Sequence, residues 1–164
     1  MSQATLQSLS AAAPEDSIVS AELDKDNTLV VVAKKQHVVE LANTAKNELG
    51  FNFPCYCTCI DNLTRTEGPR FAMVYQMRAL ERGETLRLKI ELEESDLKMD
   101  TLSTVWPAFN WLERETFDMY GVEFNGHPDL RRIYLYDEFK GYPLRKDYPK
   151  TKRQPLARRE WGNE

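Results

Sequence analysis

The residues of this 164-residue chain best equipped for chemistry lie close together: Glu113, Arg114, Glu115, Asp118, His127 and Arg131. Carboxylates, a guanidinium and an imidazole are the parts of acid/base sites, so their spacing decides what they can do. On a helix of 3.6 residues per turn Glu113 and Glu115 project about 200° apart. That separation keeps them from forming a paired-carboxylate site or chelating one ion unaided. Arg114 and Asp118 are four apart and can pair along one helix face. His127 has no nucleophile near it in sequence; donation to a carboxylate of the preceding helix, Glu115 or Asp118, suits it better than a role as general base. Three cysteines, Cys55, Cys57 and Cys59, repeat with the period of a strand and so share one face. They lack the CxxC spacing and the fourth ligand of zinc or iron–sulfur sites, and are expected as small apolar thiols packed inside a reduced protein. His37, without a motif partner, belongs to a helix start.

The elements that must position these residues follow from periodicity. A helix over 3–13 is stopped by Pro14, and strands Ser17 to Leu23 and Thr28 to Ala33 form a hairpin. From His37 to Leu49, apolar Val38, Leu41, Ala42, Ala45 and Leu49 recur at helical spacing, with Gly50 closing the helix. The cysteine run Cys55 to Asn62 is strand-like, and Arg70 to Leu80 with Thr85 to Leu92 make a second hairpin. Leu86, Leu88, Ile90 and Leu92 alternate with Arg87, Lys89 and Glu91, the mark of a sheet with one wet face. The main helix is predicted to start at a Ser103 or Thr104 cap with Pro107 in its first turn, and to end at Gly121 before an Asn125-Gly126 turn. Its charges alternate with Trp111, Leu112, Phe117, Met119 and Tyr120, so it is expected to be enclosed on several sides with its charges paired. The sum is a two-layer α+β domain over 1–132, with a mixed, mainly antiparallel sheet packed against helices, and an extended tail over 133–164.

Charge divides the chain at the same place. Residues 1–130 carry 12 Lys+Arg against 21 Asp+Glu, net −9, whereas residues 131–164 carry 10 against 5, net +5. An acidic body with a basic tail has a solvated part and a docking part. Nucleic acid is one possible partner for the tail, although a body this acidic repels phosphate. No apolar run approaches the length of a membrane helix, and the N-terminus lacks a secretory signal, which points to a cytosolic, bacterial protein.

Glu113-Arg114-Glu115, then Asp118, His127 and Arg131, followed by Ile133-Tyr134, resemble the signature of the 30 kDa subunit family of respiratory complex I, called the C subunit of NADH-quinone oxidoreductase in bacteria. GYPLRKDYP, Gly141 to Pro149, looks like that family's second block. Position 142 is Tyr where many relatives have His, which argues against a ligand role there.

The resemblance implies a non-catalytic structural subunit of a proton-translocating NADH-quinone oxidoreductase, with an α+β fold. It implies that this chain binds no cofactor, while the complex uses FMN, iron–sulfur clusters and quinone. It further implies packing on the D subunit, of the 49 kDa type, near the B and I subunits, on the cytoplasmic face of the bacterial inner membrane, peripheral and touching the bilayer only through the complex. No nucleic acid is then involved. The ERE block with Asp118, His127, Arg131 and Arg132, and the later Tyr142, Arg145, Lys146 and Asp147, become structural or interface residues. A nucleic-acid-binding protein using the basic tail is the alternative.

Overall fold

The computed structural model describes residues 2–65, 67–152 and 154. Helix α1 (Ser2–Ala12) precedes the hairpin β1 (Ile18–Leu23) and β2 (Thr28–Ala33); α2 (Val38–Asn47) follows. Then come β3 (Phe53–Asp61), β4 (Phe71–Ala79) and β5 (Glu84–Leu92), a short β6 (Lys98–Asp100), α3 (Phe109–Tyr120) and a short β7 (Glu123–Asn125). The main sheet has the order β1-β2-β5-β4-β3. Every neighbouring pair is antiparallel except β2 with β5, which α2 and the β3–β4 hairpin make parallel by intervening in the chain. β6 and β7 form a small parallel pair.

The alternation in the sequence carries directly into this sheet. Leu86, Leu88, Ile90 and Leu92 of β5 are buried, and they meet the inward row Phe71, Met73, Tyr75 and Met77 of β4. Val38, Leu41, Ala42 and Ala45 of α2 join the same core, and α3 packs across β3. Helices cover one face, while Arg87, Lys89 and Glu91 line the other. His37 sits at the N-cap of α2, as expected.

Two local predictions needed correction. β3 begins at Phe53, and a bulge between Pro54 and Tyr56 inserts Cys55 as an extra residue. The three cysteines therefore do not share one face: Cys57 and Cys59 are buried and Cys55 is partly exposed, because a bulge breaks strict period two. The main helix starts at Phe109, with Ala108 at its N-cap and no side-chain cap. Ser103 and Thr104 do not cap it. Residues 101–107 instead run through turns that bury Leu102, Val105 and Trp106, with the Trp106 indole donating to the Phe51 carbonyl at 3.0 Å.

α3 ends as predicted, at Gly121 in a left-handed conformation (φ 79°). A Cβ at that position would lie 2.5 Å from the Tyr142 ring, so glycine is required both for the turn and for the chain that crosses it. Residues 133–152 contain no helix or strand, and they run back over the end of α3. The Leu144 amide donates to the Met119 carbonyl at 3.2 Å, Arg145 Nε to the Tyr120 carbonyl at 2.7 Å, and the Lys146 amide to Asp61 at 2.8 Å. Pro155, Arg158, Arg159 and Trp161, counted with the tail in the sequence, lie outside the described residues. Gly121→Ala should cost about 1–3 kcal/mol from the backbone conformation alone. Urea unfolding is expected to show a larger loss that Tyr142→Ala partly recovers, since that change removes the ring the new methyl would strike.

Candidate functional site

α3 carries two carboxylates that are fully buried, Glu113 and Asp118. A buried ionised carboxylate is tolerated only where donors surround it, and each of these has collected its donors from a different direction. Glu113 faces the sheet. It accepts from the Tyr75 phenol at 3.0 Å, the Leu102 amide at 2.8 Å and the Thr101 hydroxyl. The Thr101 hydroxyl also contacts that of Ser103 at 2.6 Å, and the Thr104 hydroxyl donates to the Thr101 carbonyl at 3.5 Å, so neither expected cap, Ser103 nor Thr104, serves α3. Burial raises the Glu113 pKa against the lowering effect of these donors. Burial also pushes the Tyr75 phenol well up, reinforced by neighbouring Cys57 and Glu113, so Tyr75 remains a donor.

Asp118 faces the opposite flank and receives the chain that follows β7. Arg132 donates to its Oδ1 at 3.1 Å, and three successive backbone amides, Ile133, Tyr134 and Leu135, donate to Oδ2 at 3.1, 2.8 and 3.0 Å. The predicted Arg114–Asp118 pair is not formed. Asp118 is saturated by these groups, and Arg114 turns across the helix instead: its Nε donates to the Arg131 carbonyl at 3.1 Å and its guanidinium lies 3.5 Å from Asp129 and 4.8 Å from the Trp111 ring centroid.

His127 also departs from expectation. Its Nε2 is 3.2 Å from the Asn110 carbonyl, and its Nδ1 accepts from the Asp129 amide at 3.1 Å. These partners fix the tautomer with the proton on Nε2. The carboxylate beside it is Glu113, at 3.9 Å, rather than Glu115 or Asp118. The Pro128 turn brings the ring in beneath the first turn of α3, nearer its start than either predicted partner. Glu115 is partly exposed and has no ion-pair partner among the described residues. Arg131 is largely exposed and pairs with Asp129 at 2.5 and 2.8 Å.

A third carboxylate, missed in the sequence, organises the far end of the sheet. Asp61 takes both Nε and an Nη of Arg70 at 3.0 Å, together with the Leu63 and Lys146 amides at 3.0 and 2.8 Å. Burial alone would raise its pKa, but the Arg70 fork and these amides hold it below the usual carboxylate range. Arg70 also reaches Glu94 at 2.6 Å and Asp147 at 2.8 Å, and the bond to Arg70 lowers the Asp147 pKa. The available signal was the inward row of β3, because Asp61 continues Cys57 and Cys59 at period two and so had to meet a cation. Nearby, the Tyr142 ring lies 4.6 Å from the Arg145 guanidinium and 5.8 Å from that of Arg132. Asp118, Tyr142 and Arg145 thus tie the second sequence block to the first.

Among the described residues, no group of three or more His, Cys, Asp or Glu could hold a metal ion. Burial pushes the thiols of Cys57 and Cys59 up, the latter to about 12; such thiols do not fit a cluster that needs thiolates. No helix among the described residues is long and apolar enough to cross a membrane.

Fold and site together define a class: a two-layer α+β domain whose central helix holds its following segment by a buried carboxylate. The chain belongs to the family described as the respiratory-chain NADH dehydrogenase 30 Kd subunit, whose model matches residues 31–154. It is 45% identical over 121 residues to the NADH-quinone oxidoreductase C subunit of Geobacter metallireducens, covering 74% of each chain. A fused relative, the C/D subunit of Proteus mirabilis, is 48% identical over 79 residues, which span 48% of this chain and 13% of that one. Among solved structures, the trypsin-resistant fragment (1-134) of Nqo5 matches with a TM-score of 0.65 at 28% identity, over 78% of this chain and 97% of the fragment. A chain of an archaeal membrane-bound sulfane sulfur reductase shares the fold, with a TM-score of 0.77 at 20% identity, over 91% of this chain and 86% of that one.

Asp118→Ala would leave three amides and Arg132 without their acceptor, and is expected to cost about 3–5 kcal/mol. Hydrogen exchange at residues 133–135 should quicken along with the loss in chemical unfolding. Glu113 gives a pH signature. Its folded pKa is raised, so its contribution to stability is fully present below the unfolded value, about 4.3, and is lost as pH rises through the folded value. In Glu113→Gln that loss is absent, so the variant's stability relative to the native chain should climb with pH from about 4.3 upward; melting temperatures across that range check it.

Proposed function

We propose that this chain is a structural, non-catalytic subunit of the peripheral arm of a proton-translocating NADH-quinone oxidoreductase, and that it acts by scaffolding the D subunit. The observation that carries this reading is the use made of its carboxylates. Glu113, Asp118 and Asp61 are each encircled by donors from their own chain, an arrangement that fixes structure and leaves no open position for a reacting group. The fused C/D relatives of Proteus mirabilis and Nitrosospira multiformis support the D subunit in the role of neighbour, since fusion favours domains that sit together.

In this reading the B and I subunits are also adjacent, and FMN, the iron–sulfur clusters and quinone belong to other chains of the complex. The chain lies on the cytoplasmic face of the bacterial inner membrane and reaches the bilayer through its partners. Glu113, Arg114, Asp118 and His127 hold the domain together. Arg131, Arg132, Tyr142, Arg145, Lys146 and Asp147 hold the segment that meets the D subunit, and Glu115, without an ion-pair partner among the described residues, faces outward on α3.

Purification through a tag on the full chain, in mild detergent and with native mass measurement, tests the proposal. Co-recovery of the D, B and I subunits with NADH-quinone reductase activity is expected. Recovery of this chain without the D subunit overturns it. Salt-sensitive binding to duplex DNA in place of co-recovery would favour the nucleic-acid alternative.

A further inference from the structure

The described residues 136–152 and 154 make a loop closed on itself, with a division of labour among their cations. Tyr136 and Phe139 meet edge to face at 5.6 Å, and Phe139 stacks on Tyr148 at 6.0 Å. Gln154 shuts the loop. Its Oε1 accepts from the Lys140 amide at 2.8 Å, and its Nε2 donates to the Lys140 carbonyl at 2.6 Å and lies 2.8 Å from the Tyr148 hydroxyl. The rings of Tyr136, Phe139 and Tyr148 are therefore packed on one another.

Among the described residues, the arginines leading into the loop and within it are likewise engaged within the chain: Arg131 with Asp129, Arg132 with Asp118, and Arg145 with the Tyr120 carbonyl and the Phe71 and Tyr142 rings. The lysines differ. Lys140, Lys146, Lys150 and Lys152 are all exposed. Among the described residues the ammonium groups of Lys140, Lys146 and Lys150 have no anionic partner, and that of Lys152 lies 5.3 Å from the Tyr148 ring centroid. Guanidinium groups, with fixed forks, hold the fold, and strongly hydrated ammonium groups remain for long-range attraction.

We infer that this closed loop is the cationic face of the chain, and that Lys140, Lys150 and Lys152 steer it onto an acidic surface of a partner protein; the inference rests on the subunit reading above. The remainder of the chain supports that orientation. Residues 1–130 carry a net charge of −9 and residues 131–164 a net charge of +5, so the body repels an acidic partner on balance and the end that bears the loop attracts it. Exposed Tyr134, just before the loop, and Leu144, within it, at 65% and 50%, supply apolar contact once it arrives. An anionic bilayer or a nucleic acid fits less well, because Phe139 and Tyr148 are stacked on each other and not available to enter a membrane or stack on bases.

The test uses the full chain and the assembly purified from cells deleted for this chain, with association and dissociation followed separately at two salt concentrations. The native chain should bind at a rate that falls with salt. The reversal Lys140→Glu, Lys150→Glu, Lys152→Glu should slow association roughly tenfold or more and abolish that salt dependence, with dissociation much less affected. Substitution of the same three residues by Gln should fall between, and the distant reversal Lys25→Glu should behave as the native chain. Melting curves verify that each variant is folded, and the Gln variant decides if the reversal is not. Equal association rates and salt slopes for native and variant chains overturn the inference while leaving the subunit reading intact. A native chain that does not bind the deficient assembly overturns both. Binding to vesicles of anionic phospholipid or to duplex DNA that depends on the three lysines, with assembly binding unchanged, assigns the loop to those surfaces and overturns it as well.

Discussion

α3 cannot be buried unless the charges on it are satisfied, and much of the rest of the chain is arranged to do so. Glu113 and Asp118 are both fully enclosed on that helix, five residues apart and therefore about 140° apart around its axis. One carboxylate is answered from the sheet side by Tyr75 and the turn before the helix; the other is answered from the flank by the chain after it. Loss of donors on either side would leave a low-dielectric carboxylate uncompensated. The helix thus requires the segments before and after it, and the order β6, turn, α3, β7, return is a consequence.

That constraint also explains which features could be read beforehand. Apolar periodicity located the elements of the sheet and α2, because burial of one face is a local demand written residue by residue, as in Leu86, Leu88 and Ile90. Gly121 marked the end of α3 because only its own backbone conformation was at issue. Polar pairing was less visible. Arg114 and Asp118 have the right spacing to bond, yet three consecutive amides and Arg132 occupy Asp118. Those amides belong to residues 15 to 17 positions away along the chain, and backbone donors leave no mark in residue type. Ser103 and Thr104 failed as caps because their hydroxyls are engaged within the turn, that of Ser103 with the Thr101 hydroxyl at 2.6 Å and that of Thr104 with the Thr101 carbonyl at 3.5 Å, while Thr101 itself is drawn to Glu113.

The bulge at Cys55 shows the complementary limit. A single extra residue in β3 shifts the register between Pro54 and Tyr56, and strict alternation has no way to announce it. Downstream of the bulge the alternation resumes, so Cys57, Cys59 and Asp61 face inward together. Asp61 is then obliged to find a cation, and Arg70 from the start of β4 supplies two bonds at 3.0 Å while also holding Glu94 and Asp147. The sheet end and the returning chain are fastened at one guanidinium.

Two carboxylate anchors, Asp118 at residues 133–135 and Asp61 at residue 146, therefore fix the path of the segment that leaves the domain. Between them the chain carries Tyr142 over Gly121, where no side chain could stand, and beyond them it closes on itself through Gln154. A segment held at both anchors has most of its conformational freedom already removed, so little ordering would remain to oppose association with a partner. Among the described residues of the basic tail, Arg132, Arg145, Tyr142, Phe139 and Tyr148 set its shape, and the charges of Lys140, Lys150 and Lys152 are presented outward. That division follows from the hydrogen-bonding geometry of the two cations and from the need of two buried carboxylates for donors.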